Sequence, residues 1–237
     1  MLVKSRNEIN RIKNILQLFL DYYDPQHWWP VTPAGKFKPE YTGGPISEKQ
    51  KLEVIIGAIL TQNTSWKNVE KAITELNKKD LIDIDKILKV PENELAIIIK
   101  PSGYFNQKAK KLKNAAGFLR KYPLTDLEKL ELTELRKLLL SVNGIGPETA
   151  DSIILFAFNK PVFVVDAYTK RIFSRIGLIE KDAEYEEIQK FFLKNLDKDA
   201  KLFNEYHALI VEHAKRYCRK KPLCDSCIIK ENCKRKI

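Results

Sequence analysis

Three groups of residues in this sequence could do chemistry. All four cysteines fall in Cys218-x5-Cys224-x2-Cys227-x5-Cys233, within the last twenty residues. Four thiolates on so compact a stretch suit tetrahedral Zn²⁺ or a [4Fe–4S] cluster with one cysteine per iron. Two disulfides are the other use of such a set, disfavoured in a reducing compartment. The second group is Gly144-Ile145-Gly146, between the apolar run Leu138-Leu139-Leu140 and Pro147 at a first helical position. That spacing predicts a bend too tight for a β-carbon at either glycine. It also turns the first N–H groups of the second helix outward, as an anion site suited to a phosphate. The third is Asp166, behind Val164-Val165, a carboxylate placed to cap the helix around Tyr168.

An aromatic pair adds to these. Trp28-Trp29-Pro30 sits in an irregular stretch from Gln26 to Ser47 that carries Pro33, Pro39, Pro45 and Gly43-Gly44. Adjacent tryptophans there either pack onto a neighbouring helix or offer stacking faces to an extruded base. The charge balance bears on that choice. A net charge of +11 points to an anionic partner, nucleic acid first, because Lys and Arg gain by displacing counterions from phosphates. Lysine-rich proteins of heat-loving organisms reach such a charge without one. With 237 residues, 31% charged and 44% hydrophobic, the chain reads as a soluble globular protein of one domain or two small ones. Met1-Leu2-Val3-Lys4-Ser5-Arg6 lacks the apolar core of a signal peptide, and no apolar run is long enough to span a bilayer. A monomer in a prokaryotic cytosol, at the nucleoid, is expected.

The elements that must position these groups are helices. Ile9, Ile12, Ile15, Leu16 and Phe19 recur at helical spacing from Arg6 to Tyr23. Ser47-x-x-Gln50 reads as a capping box opening a helix that is apolar nearly all round from Leu52 to Leu60, hence central and buried. Helices follow at Asn68–Leu76, Ile82–Val90 and Glu92–Ile99. A basic helix opens at Tyr104 and runs to Lys121, its lysines read as a solvated face. Thr125-x-x-Glu128 caps another start, and Leu132 to Leu140 leads into the bend. Val162 to Val165 reads as an extended connector, and Tyr168–Ile176, Glu184–Leu196 and Leu202–Arg216 as helices. The fold class is all-α.

The Leu-x-x-x-Gly-Ile-Gly-x-x-Thr-Ala run followed by Val-Asp resembles the helix-hairpin-helix signature of the endonuclease III superfamily of DNA glycosylases. The resemblance implies a two-lobed fold: a six-helix barrel at 47–161 carrying the hairpin (137–155), and a second lobe from 1–46 and 162–237 holding the cysteine loop (218–233). DNA would lie across the cleft with Asp166 at its mouth as the catalytic acid. Gly144 and Gly146 would grip the DNA backbone, and Gln62 in Thr61–Trp66 would fill the gap left by a flipped base. The four-cysteine loop would hold [4Fe–4S]. Its first gap of five residues, against the family's usual six, keeps zinc as the alternative. Lys220 and Lys221, with Arg219, Lys234, Arg235 and Lys236, would face phosphate. Relatives that also cleave the strand place an imine-forming lysine where this chain has Glu148, so a monofunctional hydrolytic glycosylase is expected, acting on damaged bases in double-stranded DNA.

Trp28-Trp29-Pro30, Gly57–Thr64, Pro101–Lys110 and Gly146–Asp151 look like the 3-methyladenine glycosylase branch, which implies alkylated purines as substrates. The branch's aromatic near the start of the buried helix is Leu52 here. Glycosylases for uracil or thymine mismatches or oxidised bases, and a non-catalytic DNA-binding clamp, are the alternatives.

Overall fold

The computed structural model describes residues 6–235, with side chains from Asn10 onward; Met1–Ser5, the side chain of Ile9 and Lys236 lie outside the described residues. Its helices are α1 (Arg6–Tyr22), α2 (Glu48–Leu60), α3 (Trp66–Lys78), α4 (Ile84–Lys89), α5 (Glu92–Ile98), α6 (Phe105–Lys121), α7 (Leu124–Leu127), α8 (Leu132–Leu140), α9 (Pro147–Phe156), α10 (Ala167–Ile176), α11 (Tyr185–Asn195) and α12 (Ala200–Arg216). One isolated bridge, Val31 to Glu40, is the only β-pairing among the described residues. The fold is all-α.

Contacts divide the chain into two units: His27–Lys160, and the described parts of Met1–Gln26 and Pro161–Ile237. The first unit, the hairpin unit, is built around α2. Every residue of α2 from Leu52 to Leu60 is buried, against α3, α6 and α9. Ser47 Oγ accepts from Gln50 N at 3.3 Å, half of a capping box. The Gln50 side chain accepts from Ile46 N and donates to Thr32 O instead of closing the other half. That second bond belongs to a seam that corrects the boundary expected at residue 47. Residues 27–46 belong with α2 and α3, because Glu53 in the buried helix accepts from Thr32 N (2.7 Å) and from Asn77 Nδ2 (2.9 Å), and Asn77 also donates to Thr32 Oγ1. A buried carboxylate without those donors would cost several kcal/mol, roughly 2–7 for an uncompensated polar group.

Two further expectations are corrected. Thr125 caps nothing: Pro123 precedes the one-turn α7, whose start its fixed φ suits, and Thr125 lies inside the turn. The lysines of α6 are not all a solvated face. Lys108 is 2% exposed, on the stripe with Ala109, Leu112 and Ala116, and its amine donates to Leu60 O (2.8 Å) and Ser102 O (2.7 Å). Lys113 donates likewise to Leu88 O and Val90 O at the end of α4.

The second unit packs α1, α10, α11 and α12 over Phe163, Phe173, Phe192 and Phe203. Phe163 stacks on Phe192 at 4.0 Å and Phe173 meets Phe192 edge-on at 4.8 Å. The connector Val162–Val165 lies outside any helix and is wholly buried.

Burial raises the Glu53 pKa above its ordinary 4.5, partly offset by its hydrogen bonds from Asn77 and Thr32. A carboxyl that holds its proton more tightly when folded lends stability at acid pH and loses it as pH climbs through the folded pKa. Urea unfolding across pH is therefore expected to show wild type losing stability relative to Glu53→Gln as pH rises past 4.5. A difference that stays flat with pH would contradict this.

Candidate active site

The hairpin joins α8 and α9 through Ser141–Gly146. Gly144 has φ +102, and a β-carbon there would sit 2.4 Å from Lys111 Cγ, so glycine is required twice over. Gly146 corrects the expectation of a second tight glycine: it is extended (φ −94, ψ −179) and a β-carbon would meet nothing within 4 Å. Its lack of a side chain leaves the backbone before α9 open to close approach. The two helices are bolted by Arg136 on α8, whose Nε and Nη2 donate to the two carboxylate oxygens of Asp151 on α9 at 2.7 and 3.1 Å. Asp151 is fully buried. Glu148 is exposed in the first turn of α9, where a carboxylate is favourable to the helix dipole.

Gln62, two residues beyond α2, ties the hairpin to α6 through the two ends of its amide. Nε2 donates to Gly144 O (3.0 Å) and Thr149 Oγ1 (2.9 Å), while Oε1 accepts from Lys111 Nζ. The two tryptophans separate in role. Trp29 is 4% exposed and packs over Gly57, whose missing side chain makes room for the ring; it is core. Trp28 is half-buried, 4.8 Å from Trp29 and 5.0 Å from Trp66. The indole N–H groups of Trp28 and Trp66 are both buried with no hydrogen-bond partner among the described residues. The part of Trp28 that is left exposed can meet a flat ligand, while both N–H groups are shut away from solvent. Trp66 was not singled out from sequence, because a tryptophan opening a helix gives no periodic signal.

In the second unit Asp166 stands where the chain leaves the core. Val164 and Val165 are buried, Asp166 is half-buried and Ala167 is exposed. It is the N-cap of α10: Oδ1 accepts from Thr169 N (2.7 Å) and Thr169 Oγ1 (2.8 Å), which fixes the carboxylate plane. The capping reading is thus correct, and it leaves the acid reachable. His207 on α12, which sequence reasoning missed, hydrogen-bonds the Val164 backbone and feels the Asp166 charge; burial holds its ring toward the neutral form.

The far end of α10 holds the cysteine loop. Arg175 donates from Nη1 to Cys218 Sγ (3.5 Å) and Arg219 O (2.6 Å) and from Nη2 to Lys220 O (3.0 Å), and Arg171 Nε donates to Cys218 O (2.9 Å). Those bonds pin the backbone of 218–220 and leave the Lys220 and Lys221 side chains exposed. Cys218, Cys224, Cys227 and Cys233 are free thiols that line one apolar pocket, with Ile172, Ile176 and Arg175 among its walls. Burial pushes the Cys227 and Cys233 thiols up, a penalty that a bound cation reverses. Among the described residues no three His, Cys, Asp or Glu gather tightly enough for a single ion. Four soft donors spread around one apolar cavity fit a cluster larger than one ion.

A sequence model described as "HhH-GPD superfamily base excision DNA repair protein" matches residues 56–198. The chain belongs to the HhH-GPD superfamily. It is a base excision repair DNA glycosylase of the endonuclease III type. It is 49% identical over 235 residues, covering 97% of this chain and 98% of the other, to a Methanocaldococcus jannaschii protein named provisionally as a DNA repair glycosylase. It is 31% identical over 182 residues to endonuclease III of Sulfolobus acidocaldarius, covering 76% of this chain and 80% of that one. Among solved structures, the H. pylori 3-methyladenine DNA glycosylase bound to 1,N6-ethenoadenine superposes with a TM-score of 0.68 at 29% identity, covering 88% of this chain and 97% of that one. A non-covalent endonuclease III–DNA complex superposes with a TM-score of 0.76 at 20% identity over 99% and 97% of the two chains, which speaks for the fold.

In this HhH-GPD protein the hairpin's rigidity rests on a buried ion pair, and removing one partner strands a charge. Arg136→Met is expected to destabilise the protein by about 3–5 kcal/mol in denaturant unfolding. A loss below about 1 kcal/mol, the range of surface pairs, would show that the pair does not bolt the hairpin.

Proposed function

We propose that this protein is a monofunctional DNA glycosylase that flips an alkylated purine out of duplex DNA and hydrolyses its N-glycosidic bond, leaving an intact abasic site. The observation that carries the reading is Glu148, an exposed carboxylate in the first turn of α9. Strand-cleaving relatives need an amine at this place to form an imine with the sugar. A carboxylate cannot form one.

Bond cleavage builds positive charge on the sugar. The Asp166 carboxylate, held in a fixed plane by Thr169, stabilises that charge and orients the attacking water. N-alkylated purines are delocalised cations and ready leaving groups, so an aromatic cradle suffices where other lesions need a strong general acid. Trp28 supplies the open face of that cradle, with Trp29 and Trp66 behind it. The match to a 3-methyladenine glycosylase structure holding a modified adenine supports the same substrate class. Gly144, Gly146, Lys220 and Lys221 contact the phosphates of duplex DNA, and Gln62 occupies the space the flipped base vacates. In this reading the two units are the barrel lobe and the cluster lobe.

Cys218, Cys224, Cys227 and Cys233 hold a [4Fe–4S] cluster. When bound, the cluster supplies four metal–thiolate bonds that fix the loop, with no part in base removal. Arg175 and Arg171 then keep Lys220 and Lys221 turned to the DNA. A brown purified protein supports this assignment, and a colourless one holding zinc contradicts it.

Duplexes carrying one alkylated purine, uracil, a thymine mismatch or an oxidised base test the substrate and the mechanism together. Strand breaks are expected at the alkylated purine only after alkali, with no borohydride-trapped protein–DNA adduct. Breaks without alkali would contradict the reading drawn from Glu148.

A further inference from the structure

Lys111 lies on the basic face of α6, where a lysine of a DNA-binding protein would ordinarily be counted as a phosphate contact. Its bonding says otherwise. The ammonium donates to Gln62 Oε1. The stem lies on Gly144, so close that any β-carbon at that position would overlap Cγ and crowd Cδ. The Gln62 amide passes the connection on to Gly144 O and Thr149 Oγ1, on either side of the bend. One turn from Lys111, Asn114 Nδ2 donates to Asn143 O at 3.1 Å. Residues 143, 144 and 149 of the hairpin and residue 62 after α2 are therefore registered against one face of α6. A lysine that contacts phosphate keeps its head in solvent and free to follow the backbone, whereas this one is half-buried and engaged with a neutral amide.

We propose that Lys111 is a positioning residue for DNA engagement, holding Gln62 and the Gly144 bend in register and neutralising no phosphate itself. The inference rests on the reading of the hairpin as a DNA-binding element. It separates Lys111 from Lys220 and Lys221, whose exposed heads are the phosphate contacts.

Two physical consequences distinguish positioning from phosphate contact. Loss of one phosphate contact lowers the slope of log affinity against log salt by about 0.9. Residues acting through one connected chain give non-additive losses. The experiment measures binding of a duplex bearing one abasic-site analogue between about 50 and 200 mM salt, for wild type, Lys111→Met, Gln62→Ala and the double variant. Lys111→Met keeps the stem over Gly144 and removes only the ammonium.

Each single variant is expected to weaken binding on the order of tenfold, the scale of a lost charge-assisted hydrogen bond. The salt slope is expected to be unchanged, and the double variant no worse than the weaker-binding single. A slope lowered by about 0.9 in Lys111→Met, or losses that multiply in the double variant, would overturn the proposal. Gln62 also contacts DNA in the proposed reading, so its single loss does not decide the matter; Lys111→Gln, which keeps a polar head toward Gln62 without the charge, replaces Lys111→Met in the cycle if that variant folds poorly. An undiminished affinity in Gln62→Ala counts against it. A wild type that binds no duplex at all defeats the glycosylase reading instead, and the two failures are thus distinguishable.

Discussion

One buried ammonium constrains the hairpin unit. The central helix α2 is buried along its length from Leu52, so its last carbonyls end where water cannot reach them. Helix ends in that situation need partners from the protein. Lys108 supplies one, giving its amine to Leu60 O and to Ser102 O across the interior. Burial pulls its pKa down to about 8, with Lys111 adding to the shift, which still leaves the charged form ahead at neutral pH. One cation thereby fixes the end of α2, from which Gln62 follows, to the turn before Tyr104. Tyr104 is 65% exposed and held in the left-handed region (φ +45), so the ring stands off the surface where the chain re-enters α6. Lys111 extends the same arrangement to the hairpin and Lys113 to the end of α4. The helix with the most basic composition spends three of its lysines on internal carbonyl and amide oxygens.

The other unit has its own strut. Helix α10 is ten residues long, roughly 15 Å at 1.5 Å per residue. Asp166 caps its N-terminus, and its last turns hold the cysteine loop through Arg171 and Arg175. Arg11 of α1 reaches the same corner, donating to Ile176 O and Asn232 O. Gly177 is required there by φ +83 and by the Lys234 stem lying 2.7 Å from where its β-carbon would be. The cysteine loop and Asp166 are thus held by opposite ends of the same helix. Two ends of one helix serve two tasks.

Much of this was legible in the sequence, and the rest was hidden for identifiable reasons. Helical periodicity placed nearly every element, because each helix presents a continuous apolar stripe. The bend, Asp166 and the cysteine loop were legible because glycine, an acid behind Val-Val and clustered thiols are local signals. The membership of 27–46 was not, since it turns on Glu53 and Asn77 meeting Thr32 across the sequence, and a buried carboxylate in an apolar run looks like a solvent-facing slot. Arg136 with Asp151 and Lys108 escaped for the same reason. Each is a charge on an apolar face, and the partner that makes it tolerable is 15 residues away for Arg136 and 48 for Lys108. In hindsight, Asp151 between Ala150 and Ile153 and Lys108 beside Ala109 are the signals to look for: a charge on a buried stripe implies a partner. Gly146 was over-read, because a Gly-x-Gly spacing does not reveal which glycine bears the positive φ.

The proposed role of Asp166 in base removal turns on its charge, apart from its hydrogen bonds to Thr169. Asparagine at this position keeps the N-cap acceptor for Thr169 and so preserves α10, while removing the negative charge. Single-turnover base release from a duplex carrying one alkylated purine, measured for wild type and Asp166→Asn alongside DNA affinity, tests that role directly. Release is expected to slow by at least about 10²-fold with affinity retained. Release at the wild-type rate would contradict it.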